Sequence, residues 1–180
     1  MKNSFLKNKE ITKIGFKSIG NNVKISKNAS FYSAKDISIG NNVRIDDFCI
    51  LSGKITIRDN AHISAGTYLF AGEAGIVIDD YVAISPKSVL LAISDDFSGN
   101  YFANAVLDIK KRNVIKSKIT IKRYSTIGTG TIILPGVTVN EGCAIGAMSL
   151  IKKNLAAWGI YAGIPCRKIK NRSKKCLKLL

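Results

Sequence analysis

One histidine, His62, is all that the 180 residues contain, and acidic side chains are scarce, 12 against 28 lysines and arginines, for a formal net charge of +16. A single imidazole excludes any metal centre built from several histidines. The four cysteines, Cys49, Cys143, Cys166 and Cys176, form no Cys-x-x-Cys pair, so no zinc site or dithiol motif is expected and no metal is called for. Cys49 and Cys143 read as compact apolar fillers. Residues 1–10 lack the apolar core of a signal peptide, and no apolar run approaches a membrane span. The expected location is cytoplasmic. The excess of cations suits an anionic partner, but the basic residues are scattered and bring no recognition helix or stacking motif, which argues against nucleic acid. In residues 168–180, Lys174, Lys175 and Lys178 beside Leu177, Leu179 and Leu180 would suit a short amphipathic helix at a membrane surface; a solvated end is the simpler reading.

What is present is a period. An aliphatic or Phe residue recurs at every sixth position: Ile19, Ile25, Phe31; Ile39, Ile45, Leu51; Ile57, Ile63, Leu69; Ile78, Ile84, Leu90; then Ile121, Ile127, Ile133, Val139, Ile145, Ile151. Six is a multiple of the strand period of two and fits no helix. Two positions before the anchors stand Val23, Ala29, Ile37, Val43, Cys49, Ile55, Ala61, Thr67, Ile76, Val82, Ser88, Ile119, Ser125, Thr131, Val137, Cys143 and Ser149. A two-residue offset points both columns to one side of a strand, and the small second column implies a narrow interior. After the anchors come turn formers such as Gly20-Asn21-Asn22, Gly40-Asn41-Asn42, Asp79-Asp80-Tyr81 and Pro135-Gly136, which tolerate the positive φ of a sharp bend. The pattern predicts an all-β, three-sided solenoid of 18-residue coils with additions of 2, 3 and 25 residues. The expected organisation is one domain, 1–180, with coils over about 19–90 and 119–151, an excursion loop 91–118 and a carboxyl-terminal segment 152–180.

These repeats resemble the hexapeptide-repeat acyltransferases, whose aliphatic-Gly-x-x-small-x rule builds a left-handed parallel β-helix, an exception to the usual right-handed crossover. The stretch from Ile119, through Ile127-Gly128, Leu134-Pro135-Gly136-Val137 and Ile145-Gly146-Ala147, is similar to the sugar O-acetyltransferase branch, relatives of the galactoside and maltose acetyltransferases. Ala162-Gly163-Ile164-Pro165-Cys166-Arg167 matches the family's terminal signature, a turn leading into a basic helix. The resemblance implies acetyl-CoA as co-substrate, held between subunits of a homotrimer, with Thr129, Ala147, Lys152, Lys153 and Arg167 as coenzyme contacts. Phosphates need such cations. Gly128, Gly136 and Gly146 read as turn residues.

The galactoside branch places a catalytic histidine where the chain enters the excursion loop; here Ser94, Asp95 and Asp96 stand instead. His62 precedes an anchor, so strand alternation turns it outward, beside Ala83 and near Thr126, both small. Acyltransferases that share the Ser-Asp-Asp-Phe-Ser-Gly loop carry a histidine at this place, and imidazole suits removal of a proton at neutral pH. His62 is the candidate base. Asp95 is a candidate to orient it, from the same or a neighbouring subunit, or to hold the acceptor. Ser94, Asp96, Asn100 and Tyr101 mix the carboxylate, hydroxyl, amide and aromatic groups that bind polyols. The expected reaction is acetyl transfer to a sugar hydroxyl in surface glycan synthesis. The alternative is N-acetylation of a nucleotide-linked amino sugar, which the basic surface would suit but whose amino-terminal Gly-rich αβ segment, found in some relatives, is missing. A solenoid carbonic anhydrase would need several histidines. A non-catalytic scaffold should show a regular outward ladder, and the outward residues read as mixed and charged.

Overall fold

In the computed structural model, which describes residues 4–180, every anchor sits in the rung the six-residue count assigns to it; residues 1–3 of the segment read for a signal lie outside the described residues. Ile19 pairs in parallel with Ile39, Ile57, Ile78, Ile121 and Val139 in turn, forming a first face. Ile25, Ile45, Ile63, Ile84, Ile127 and Ile145 stack as a second face. Phe31, Leu51, Leu69, Leu90, Ile133 and Ile151 make the third. The result is a left-handed parallel β-helix. From Ile37 onward the small column is buried as fully as the anchors, Cys49, Thr67, Ser88, Ser125, Thr131 and Cys143 each at 0% exposure. The buried hydroxyls are satisfied by turn carbonyls, as where Ser88 donates to Ser85 O at 2.9 Å and Ser125 to Asn140 O at 3.0 Å. Burial raises the Cys49 thiol to about 11 and pushes Cys143 upward as well, which suits inert fillers.

The additions of 2, 3 and 25 residues all fall at one corner, between the third face and the first. Ala34–Asp36 turns as a 3-10 helix there, and the long strand Tyr68–Ile78 absorbs three residues against Ile50–Ile57 through register shifts. The excursion departs from the same corner as an antiparallel hairpin, Ile93–Asp95 on Val114–Lys116. Gly53 and Gly72 stack beneath it: a Cβ on Gly53 would strike the Gly72 backbone, and one on Gly72 would strike the Ile93 side chain. Lys116 pairs with Glu73 across this junction.

The three outer faces differ in chemistry. The first carries Ser18, Ser38, Thr56, Val77, Thr120 and Thr138 in register, so one face is a near-continuous hydroxyl ladder, against the expectation of mixed and charged outward positions. The third carries Ser30 at its start and then Ile50, Tyr68, Val89, Ile132 and Leu150, an apolar wall from Ile50 onward. The second runs Lys24, Arg44, His62, Ala83, Thr126, Ala144 and Ile160, basic at the start and small from Ala83 to Ala144.

Both ends depart from the expected outline. Asn8–Ile14 is a short α-helix before the first coil, with Glu10 accepting from the Lys7 backbone N–H at 2.7 Å. The basic segment after the terminal turn is not helical: Arg167–Asn171 folds back antiparallel on Gly159–Ala162, and helix is confined to a 3-10 segment at Lys175–Leu179. The strand covers the last rung, whose edge would otherwise be open. Arg172 then donates from Nη1 to the carbonyls of Tyr124, Gly142 and Cys143 at 2.7 to 3.2 Å, fixing the tail to the wall. No helix among the described residues is long and apolar enough to cross a membrane.

Candidate functional site

His62 lies on the second face, 41% exposed at its side chain, with Ala83 beside it and Thr126 one rung further. Its partner within the chain is Asp46, at 2.7 Å from Nε2. Asp46 follows the anchor Ile45, which pairs with Ile63, so the carboxylate reaches the imidazole diagonally across one coil. Arg44 donates to the other carboxylate oxygen at 2.6 Å. Burial pushes the Asp46 carboxyl up, but bonds from Arg44 and His62 outweigh it and hold the group below the usual range. An ionised carboxylate only accepts, so Nε2 carries the hydrogen, and in the neutral imidazole the lone pair that a base requires is then on Nδ1.

From His62 a strip of small residues climbs the corner between the second and third faces. Its rungs are Ser64-Ala65, Ser85-Pro86, Gly128-Thr129, Gly146-Ala147 and Ala162-Gly163, linked by Ser64 N to Ile84 O, Ser85 N to Ile127 O and Gly146 N to Tyr161 O. At about 4.8 Å per rung the strip is roughly 19 Å long. Gly128 and Gly146 serve close approach rather than positive φ: a Cβ on Gly128 would lie 2.6 Å from Ala147 N, and one on Gly146 2.9 Å from Ala162 Cβ. Gly136, at φ 82°, is the turn residue the pattern implied. Thr129 and Ala147 occupy neighbouring rungs, Met148 N donating to Thr129 O at 2.8 Å. Ala162 at the top pairs with Arg167. Arg167, Lys152 and Lys153 also line one cleft of about 280 Å³ with Ile151, Leu155, Pro165 and Cys166. Three of the five expected coenzyme contacts are thus together at the carboxyl-terminal end, and the other two lie on the strip.

The excursion hairpin forms a separate group. Asp95 Oδ1 accepts from Arg112 Nη2 at 3.0 Å, while Arg112 Nη1 donates to Ala105 O at 3.1 Å. Oδ2 of Asp95 stays available. Asp96 is committed within the loop: Asn113 Nδ2 donates to it at 2.9 Å and Ser98 N at 2.7 Å, bonds that hold its carboxyl below the ordinary value. Ser94 donates to the Asp95 carbonyl at 3.1 Å. Asn100 and Tyr101 lie at the tip, lining a cleft of about 290 Å³ with Gly99, Phe102, Lys110 and Lys111. The hairpin leaves from the corner opposite the second face of the prism, so Asp95 and His62 stand on opposite sides of the chain. Asp46 and Arg112, the immediate partners of these two groups, were not among the expected site residues. Asp46 was recoverable from the register of Ile45 and Ile63; no sequence signal marks Arg112.

Among the described residues no group of three or more His, Cys, Asp or Glu side chains is arranged to hold a metal ion.

The family model for bacterial transferase hexapeptide (six repeats) matches residues 36–71. Over 98% of its length, and 93% of the relative's, the chain is 42% identical to a dTDP-4-amino-4,6-dideoxy-D-glucose acyltransferase of Escherichia coli. It is 50% identical, with a TM-score of 0.96, to AntD, an N-acyltransferase from Bacillus cereus solved in complex with dTDP and 3-hydroxybutyryl-CoA, covering 98% of this chain and 94% of that one. Other AntD structures carry a substitution at one serine or at one aspartate, ten positions apart in that enzyme. Identity to the galactoside O-acetyltransferase of Escherichia coli K12 is 31%, over 62% of this chain and 54% of the relative. Repeats, rungs and whole-length identity agree: the chain belongs to the hexapeptide-repeat acyltransferases.

Proposed function

We propose that the protein transfers an acyl group from coenzyme A to the amino group of a dTDP-linked amino deoxysugar. The observation that carries this reading is the whole-length identity to two acyltransferases, one named for a dTDP-4-amino-4,6-dideoxy sugar and one solved with dTDP and an acyl-CoA. It favours the amine over the sugar hydroxyl expected first, because the hydroxyl-modifying relative matches over only 62% of the chain. An amino-terminal αβ segment is not a requirement of the reading: the match takes in 94% of AntD, which leaves little room for such a segment there.

The acceptor arrives as an ammonium and must lose a proton before its lone pair attacks the thioester carbonyl. Asp95 Oδ2 receives the ammonium while Arg112 holds the other oxygen in place. His62 takes the proton through Nδ1, steadied by Asp46. Backbone N–H groups at a coil edge stabilise the oxyanion of the tetrahedral intermediate, which collapses with departure of the CoA thiolate; the thiolate takes the second proton from the attacking nitrogen, giving the neutral amide and free CoA thiol. The strip of small residues admits the extended coenzyme arm, and Lys152, Lys153 and Arg167 meet its phosphates. Ser85 and Asp95 of this chain keep the ten-residue spacing of the serine and aspartate replaced in AntD, which supports a place at the reaction centre for both.

His62 and Asp95 stand on opposite sides of one prism, so a site that uses both takes the wall of one copy and the hairpin of another. The apolar third face, with Tyr68 and Ile132 exposed, adjoins the strip and supplies a surface for that second copy in a homotrimer. Free-thiol release from acetyl-CoA and 3-hydroxybutyryl-CoA, offered dTDP-4-amino-4,6-dideoxyglucose, free amino sugars or maltose, tests the reading. Release with the nucleotide-linked amine is expected; release with maltose alone would return the assignment to O-acetylation.

A further inference from the structure

The excursion hairpin ends in a group of side chains that the transfer chemistry leaves unused. Tyr101 and Phe102, 47% and 62% exposed, line the tip cleft with Lys110 and Lys111. Neither lysine enters an ion pair among the described residues. Asp108 is the one acidic residue between positions 97 and 111, and its carboxylate accepts the Lys110 backbone N–H at 2.8 Å. The two halves of the tip are joined by Phe102 N donating to Lys111 O at 3.0 Å. Arg112 and Asn113, bonded to Asp95 and Asp96, brace the neck. Two aromatic faces and two free ammonium groups therefore share a braced concavity of about 290 Å³, near the lower end of small-molecule sites at about 300 Å³.

We propose that this tip is a nucleoside diphosphate subsite, in which Tyr101 or Phe102 stacks on the base and Lys110 and Lys111 hold the diphosphate. Aromatic faces accept any base ring, and paired lysines meet phosphate oxygens as charge-assisted donors. The inference rests on the reading of a nucleotide-linked acceptor and names the part of this chain that recognises the nucleotide. Such a subsite favours the nucleotide-linked acceptor, because a free amino sugar that reached Asp95 would leave the tip empty. Two nucleoside diphosphates belong to the reaction, that of the acceptor and the adenosine diphosphate of coenzyme A. Lys152, Lys153 and Arg167 already form a separate cationic cleft, so the tip is assigned to the acceptor.

Calorimetric titration of the whole protein with dTDP, and separately with coenzyme A, tests this on wild type, Lys110→Ala/Lys111→Ala, Lys110→Arg/Lys111→Arg and Tyr101→Ala/Phe102→Ala. Thermal melts confirm that each variant is folded. The double alanine variant at the lysines should weaken dTDP by about 10-fold or more, the arginine variant should retain affinity, the aromatic variant should weaken dTDP, and coenzyme A should bind all four alike. Wild type that binds no dTDP would overturn the nucleotide-linked acceptor and this subsite with it. Wild type that binds dTDP with the same affinity as the folded lysine and aromatic variants would overturn the subsite alone. Loss of coenzyme A affinity in place of dTDP affinity would overturn the assignment to the acceptor.

Discussion

The prism wall and the excursion hairpin are held by different physics. In the wall each residue repeats the environment of the one a coil earlier: anchors bury completely, small partners fill the gap, and backbone bonds pass from rung to rung. Ile45, Ile63, Ile84 and Ile127 are each 0% exposed, and a buried side chain of this size contributes about 1.5–3 kcal/mol. The hairpin has no such stack. It stands on two braced carboxylates, Asp95 on Arg112 and Asp96 on Asn113 and Ser98, while Phe97, Phe102, Val106 and Ile109 stay exposed. Stability resides in the wall, and the groups that could choose an acceptor reside in the hairpin. His62 belongs to the wall, and the carboxylate that holds its imidazole comes from a neighbour one coil away.

Substitutions can pull these two regions apart. The largest effect is expected at the proposed reacting groups. His62→Asn should lower kcat by about 10² to 10⁴-fold, near 3–5 kcal/mol of barrier, with little change in coenzyme affinity. Asp95→Asn should lower kcat/KM for the amine while the melting temperature stays close to wild type. A loss of stability comparable to that of a wall variant would erase the distinction between the regions. Next, Ile84→Ala should cost about 2–5 kcal/mol in denaturant unfolding, because a rung has no slack to close the cavity. A loss below about 1 kcal/mol, the scale of surface changes, would mean that the stack relaxes.

Asp46→Asn keeps the shape of the His62 partner and removes its charge. Turnover should fall by about 10-fold or more, with the pH-rate profile moved and KM for the acyl donor steady; a profile that does not move would assign Asp46 to structure alone. Lys153→Ala or Arg167→Ala should raise KM for acetyl-CoA several-fold, about 1 kcal/mol, without touching the hairpin's selectivity, and unchanged constants in both would remove the cationic cleft from the coenzyme site. The smallest effect is on stability against pH. The Asp46 carboxyl is held below its ordinary value, so its contribution is fully present above the unfolded pKa of about 3.9 and is lost as pH falls through the lower folded value. The stability gap between wild type and Asp46→Asn should therefore be constant near neutrality and shrink below about pH 4; a gap that widens on acidification would reverse the sign assigned to that pair.

Legibility in the sequence follows the same division. The wall was legible to the residue, because a narrow prism accepts one inward size at each rung and so imprints a strict period. Ile19 through Ile151 and the small column from Ile37 onward occupy the places the period assigns. The hydroxyl ladder of the first face is equally periodic, but it emerges only when the outward positions are sorted by face. The hairpin carried no period. Arg112 meets Asp95 across 17 residues through an antiparallel pairing that composition does not announce. At the carboxyl end the run Lys168, Ile169, Lys170 alternates as a strand does, and the resemblance to a helical family ending concealed it. The choice between hydroxyl and amine was beyond the residues themselves, because His62 and a carboxylate would serve either nucleophile.

Co-expression of His62→Asn with Asp95→Asn tests most directly whether the wall of one copy works with the hairpin of another. Each variant alone should be near background; equal co-expression with random assembly into trimers should recover about a quarter of wild-type turnover, since about one site in four of the whole population would pair an intact His62 wall with an intact Asp95 hairpin. Turnover that stays at background in verified mixed assemblies would contradict the shared site and return both groups to a single chain.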